Sequence, residues 1–164
     1  AGVTFSAGLM LGQYRDAGFY LFLAVGFWLA LWGHHLFFKE KLQTEFAVGF
    51  VALVTSASLW GLGGDMEGMK WCIALCLGSG LGFVTSRYLL SYIRICEHCE
   101  RGTAQTSYLL GWDAGLLAGY SVAFGLGTEV GQTIYTYIIG AIFVGTGMYH
   151  LFLVRPWYMR NKRK

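Results

Sequence analysis

Charge is scarce in this chain. Only 13% of its 164 residues are Asp, Glu, Lys or Arg, whereas a soluble domain carries roughly 25%. Too little polar surface is available to cover an ordinary globular core in water. There is a single proline. The stretch Ala1 to Leu11 lacks the charged start and the cleavage site of a signal peptide. No nucleophile elbow, phosphate-cradling loop or HExxH pattern occurs, so no familiar catalytic chemistry is written in the sequence.

What is abundant is apolar and aromatic. Hydrophobic residues make up 55% of the chain and aromatic ones 17%, and they are gathered into long runs. Crossing about 30 Å of hydrocarbon takes about 20 helical residues, with a range near 17–25. Five stretches meet that length: 19–38, 46–62, 71–92, 103–126 and 132–154. Their length and lack of clean alternation favour helix over strand, and a helix satisfies its own backbone groups in lipid. Residues 1–11 are apolar but too short to span, and read as the tail of a helix whose beginning lies outside the chain. The expected fold is therefore all-α: a polytopic transmembrane bundle with five full spans, a partial N-terminal one, and a basic tail over 155–164.

The basic residues are distributed unevenly. Lys39, Lys41, Arg94, Arg101, Arg155, Arg160, Lys162, Arg163 and Lys164 all fall at one end of the inferred spans, with Arg87 near the same end of its helix. Only Arg15 and Lys70 fall at the other, beside Asp65, Glu67 and Glu129. Basic loops stay on the cytoplasmic side, so the C-terminus is expected there, in an integral membrane protein of a bacterial inner (plasma) membrane. The net charge of +3 then reports topology and some attraction to anionic lipid. The short RNKRK cluster beside a span is no nucleic-acid footprint. Trp60 and Trp71 at one boundary, and Trp157 and Tyr158 at the other, suit the headgroup region.

The 24 glycines recur at four-residue spacing: Gly8 and Gly12, Gly78 and Gly82, and Gly111, Gly115 and Gly119. Small residues at that spacing let two helices approach closely, either as dense packing or as a moving interface.

The run Cys99-Glu100-Arg101-Gly102-Thr103-Ala104-Gln105-Thr106-Ser107-Tyr108, continuing through Gly111-Trp112-Asp113-Ala114-Gly115, resembles the start of the penultimate helix in major facilitator superfamily transporters. There a cytoplasmic Arg-Gly-Thr-Ala or similar run precedes a helix with an acidic residue next to glycine. One helix and a basic tail follow, as they do here. The resemblance implies the C-terminal six-helix half of a secondary transporter, its first helix truncated. It also implies an N-terminal half as partner and a site near the bilayer midplane. The function expected is movement of a small solute by alternating access, coupled to an ion or proton, with no enzyme activity and no cofactor.

Asp113 is the leading functional candidate, because a mid-membrane carboxylate is costly and should face a cavity or a partner. It reads either as a proton-titrating or substrate-contacting group, or as a structural hydrogen-bonding one. Gln105, Ser107 and Tyr108 lie earlier on the same helix, within reach of a cytoplasmic vestibule or simply packed. Arg87 either snorkels to the inner boundary or contacts an anion. Arg94, Glu97, Glu100 and Arg101 form either a cytoplasmic gate or a solvated loop. Cys96-Glu97-His98-Cys99 supplies one Cys-x-x-Cys pair where structural zinc needs four ligands, and the adjacent His34 and His35 diverge on a helix, so no metal is expected. Two alternatives to transport stand: a structural or assembly subunit of a membrane complex, and a membrane-embedded enzyme using His and Asp.

Overall fold

A computed structural model describes residues 1–37, 42–63, 66–95, 100–126 and 132–161. Six helices follow one another: α1 (Gly2–Gln13), α2 (Ala17–Phe37), α3 (Leu42–Gly63), α4 (Glu67–Ile95), α5 (Arg101–Leu126) and α6 (Gln132–Tyr149). α6 continues through a π-helical turn (His150–Val154) into a short α7 (Arg155–Asn161). No strand occurs among the described residues. In the π turn the Arg155 N–H donates to the His150 carbonyl. The widening sits just ahead of Pro156, which has no N–H and crowds the carbonyl four residues back. A π turn is one way a helix absorbs such a misfit.

By length and apolar content, three helices among the described residues can cross a membrane: Thr44–Gly63, Gly68–Ser91 and Thr133–Tyr158. Ala17–Gly33 is a shorter apolar helix. Five full spans were expected, and α5 is the instructive difference. It is one unbroken helix, but Thr103, Gln105, Thr106, Ser107 and Asp113 dilute its apolar content.

α1 carries no polar face: its sequence is small or apolar all round, and such a helix belongs in an interior. Val3, Thr4, Ser6, Ala7, Gly8, Leu9 and Met10 are all buried. Their neighbours are α5 on one side and α6 on another, where Gly2 approaches Ile142 and Thr146.

Close contacts fix the direction of each pair. Along α1 and α5, Thr4 meets Gly115, Phe5 meets Gly119 and Gly12 meets Ala123, so these two helices run parallel. Along α2 and α4, Gly18 meets Trp71, Leu23 meets Gly78 and Ala30 meets Gly82, so they are parallel too. α3 is antiparallel to α4, with Glu45 against Arg87 and Leu53 against Gly80. It is also antiparallel to α6, with Phe46 against His150 and Gly61 against Thr136. The six helices therefore alternate up and down.

Three correspondences among these pairings give an internal symmetry, although α4 touches α5 more extensively than α1 touches α2. Exchange α1, α2 and α3 with α4, α5 and α6, and α2 on α4 becomes α5 on α1, α3 on α4 becomes α6 on α1, and α3 on α6 maps onto itself. Because α1 and α4 point in opposite directions, the two three-helix units are inverted with respect to each other. A detail repeats as well. Near the start of α2, the Tyr20 hydroxyl shares its proton between the Leu11 and Tyr14 carbonyls, 3.0 Å from each. Near the start of α5, the Tyr108 hydroxyl donates to the Thr85 carbonyl at 3.1 Å. In each unit a tyrosine ties the second helix back to the backbone of the first.

The parallel pairs touch backbone to backbone. A Cβ placed on Gly119 would overlap the Phe5 carbonyl and stand 3.0 Å from Leu9 N; one on Gly78 would overlap the Leu23 carbonyl and stand 3.0 Å from Phe27 N. Gly115 and Gly82 are similarly crowded, by Ala1 O at 2.8 Å and Phe27 O at 2.9 Å. Gly111, expected on the same stripe, has open space where its Cβ would lie. Replacing Gly119 or Gly78 by Leu should therefore destabilise the bundle by about 2 kcal/mol or more, because overpacking here strains backbone and not a flexible side chain. Gly111→Ala should be neutral or slightly stabilising through helix propensity. Thermal unfolding of the three variants in detergent checks this, and equal losses in all three would contradict it.

Candidate functional site

Two polar constellations interrupt the apolar frame. The first lies where α3 begins. Glu45 sits in the first turn of α3 and is fully buried, and Arg87 of α4 is buried with it. The Arg87 Nε donates to Glu45 Oε2. A carboxylate in a first helical turn also lies in the favourable field of the helix N-terminus. The Arg87 carbonyl accepts the Ser91 hydroxyl at 2.8 Å. One residue along each helix the packing is aromatic. Phe46 lies 4.0 Å from the His150 ring and 4.9 Å from that of Tyr88, and Tyr88 lies 5.4 Å from His150. The π turn delivers His150 inward to this trio, where its Nδ1 is buried without a hydrogen-bonding partner.

The second constellation is a face of α5. Thr106, Leu110, Asp113, Leu117, Tyr120 and Phe124 follow one another at three- and four-residue steps, so they share one side of the helix. All six are exposed. Gly115 and Gly119 lie on the other side, against α1. Asp113 is twelve residues from the start of a 26-residue helix, about 18 Å along it by helical rise, and thus close to its middle. It has no hydrogen-bonding partner among the described residues. At the far end of the face, the Arg15 guanidinium lies 5.8 Å from the Phe124 ring centroid, which brings the α1–α2 turn against α5.

The residues singled out in the sequence thus separate. Asp113 and Gln105 are exposed on α5, and Tyr108 is half-buried, held to α4. Arg87 is buried against Glu45. Arg94, Glu100 and Arg101 are exposed, with no ion pair among them. Glu97 lies outside the described residues, as do Cys96, His98 and Cys99, and the side chains of His34 and His35 are not described. Glu45 was missed because it closes a charged segment that reads as a solvated loop. Arg87 inside an apolar run was the available signal, since a cation there calls for a counter-charge within reach.

Neither a family model, nor a curated protein, nor a solved structure matches the chain.

A buried pair is most costly when half of it is removed, typically 3–5 kcal/mol, because the remaining charge is stranded. Glu45→Gln and Arg87→Gln should each destabilise the protein on that scale. The double variant should lose clearly less than the sum of the two. A double-mutant cycle from denaturant unfolding in micelles reads the difference, and strict additivity would show that the two groups do not act as a pair.

Proposed function

We infer that this chain is one six-helix half of a secondary transporter of the major facilitator type, with α2 to α6 crossing the membrane and α1 (12 residues) as a partial span. The observation that carries the reading is the inverted pairing of two three-helix units, α1–α3 and α4–α6. Inverted three-plus-three repeats are nested in each half of such transporters, and the solute site lies near the bilayer midplane. Repeats of this kind let one set of contacts take two related arrangements, which is what alternating access requires.

The exposed face of α5 that bears Asp113 supplies the second support. A bare carboxylate at mid-membrane costs about 2.5–3.5 kcal/mol on insertion scales, and among the described residues Asp113 is exposed with no hydrogen-bonding partner. A partner half, with water and solute between, removes that cost. On this reading Asp113 and Gln105 border the solute pathway, and Asp113 is the group that couples proton movement to it. Glu45 and Arg87 instead fasten α3 to α4, so that they move as one body. Arg94, Arg101, Arg155 and Arg160 stand at the same end of the alternating helices, and by the positive-inside rule that end is cytoplasmic.

A substrate-free test exists. With the four native cysteines replaced by Ser, single cysteines at Thr106, Leu117 and Phe124 should react in intact membranes with a hydrophilic maleimide. Cysteines at Val144 and Phe152, which are exposed on α6 and the π turn, should be protected by lipid. Equal protection of all five positions would remove the proposed pathway. In the intact transporter Asp113→Asn should lose gradient-driven transport but keep exchange, and unchanged gradient-driven transport would make Asp113 a structural residue.

A further inference from the structure

The end of the bundle opposite Arg94, Arg101, Arg155 and Arg160 carries a concentration of sulfur. Met66 immediately precedes α4, and Met69, Cys72 and Cys76 follow it along the helix. Steps of three and four residues place Met69, Cys72 and Cys76 on one edge of α4, with successive Cβ atoms about 5–6 Å apart. Cys72 is exposed and Cys76 half-buried, and both are free thiols.

The turn before the helix is held in place by its backbone. Met66 N–H donates to the Gly63 carbonyl at 3.1 Å, and Met69 and Lys70 N–H donate to the Met66 carbonyl at 3.0 and 3.1 Å. This turn brings two thioethers to one spot. A Cβ on Gly63 would lie 3.3 Å from Met69 Sδ and 3.5 Å from Met66 Sδ. Gly63 leaves the room that both sulfurs occupy.

We propose that Met69, Cys72 and Cys76 form a binding site for a soft monovalent metal ion, Cu(I) or Ag(I), with the Met66 thioether as the entry ligand at its exposed mouth. The donor set selects the metal. Thioether and thiolate sulfur are soft ligands that favour Cu(I), while imidazole and carboxylate oxygen favour harder or borderline ions. Among the described residues no three His, Cys, Asp or Glu side chains are grouped to hold a metal, so a zinc site of the ordinary kind is not built here. Charge fits as well. A monovalent ion on one thiolate is neutral, and thioethers add no charge, so the site suits an apolar boundary where net charge is expensive. On binding, the S–H bond of a ligating thiol breaks, a sulfur–metal bond forms and the proton leaves to bulk water, with no change of oxidation state. Met66 is 66% exposed and able to take an ion from solution, and Met side chains are flexible enough to hand it inward.

The site is independent of the transporter reading, and its test needs no transport. The full chain is purified in detergent with Cys96→Ser and Cys99→Ser, so that the other two thiols of the sequence do not compete. It is titrated anaerobically with Cu(I) against a chromophoric Cu(I) chelator. One ion should bind per chain, with an ultraviolet thiolate-to-copper band, and Zn(II) in excess should not displace it. Cys72→Ser with Cys76→Ser should abolish binding, and the volume-conserving Met69→Leu should weaken it at least tenfold. In a second measurement, Ag(I) should slow alkylation of Cys72 by a maleimide at least tenfold. Substoichiometric binding, undiminished affinity in the double Ser variant, or alkylation at the same rate with and without Ag(I) would each overturn the site.

Discussion

In lipid, helices gain nothing from hiding apolar surface from one another, because the surrounding chains are as apolar as leucine. Association rests on backbones coming close enough for dense van der Waals contact. Here that constraint is met where α1 meets α5 and α2 meets α4, at Gly115 and Gly119 in one pair and Gly78 and Gly82 in the other. Each glycine gives up helix propensity and lets the two backbones meet. The rest of the bundle follows from these two seams: α3 and α6 close on the paired helices, and the six alternate in direction.

Charge inside the bundle is handled in two different ways. Glu45 and Arg87 are buried and joined, which fastens the two long helices that bear them. A buried pair of this sort is weak evidence for net stability but strongly resists the loss of either member. Asp113 is treated in the opposite manner, left uncovered on α5. The contrast separates a buried, paired charge from an exposed one.

Much of the architecture was legible in the sequence, since the long apolar runs and the scarcity of charge reflect the solvent directly. α2, α3, α4 and α6 could be outlined within a few residues for that reason. The close approach at Gly115 and Gly119 was legible from spacing. Gly111 instead has open space where its Cβ would lie, a difference that spacing alone does not show. The burial of α1 was harder to read, because a short apolar stretch does not show which helices enclose it. Glu45 escaped for a related reason. Its burial depends on a partner 42 residues away, and local polarity suggested a loop. The sulfur edge of α4 was not legible, since the place of a thioether depends on which turn brings it to its neighbour.

The inverted pairing of two three-helix units is most directly tested by cross-linking the parallel seams. Gly12→Cys with Ala123→Cys, and Ala30→Cys with Gly82→Cys, place Cβ atoms about 2.6 and 2.7 Å apart. An opening of about 1 Å reaches the 3.5–4.5 Å of a relaxed disulfide. In membranes, with the native cysteines removed, both pairs should oxidise rapidly and each should form an intramolecular link. Gly12→Cys with Gly115→Cys should not. A link between Gly12 and Gly115, or none at Ala30 and Gly82, would show that the helices do not run as parallel pairs.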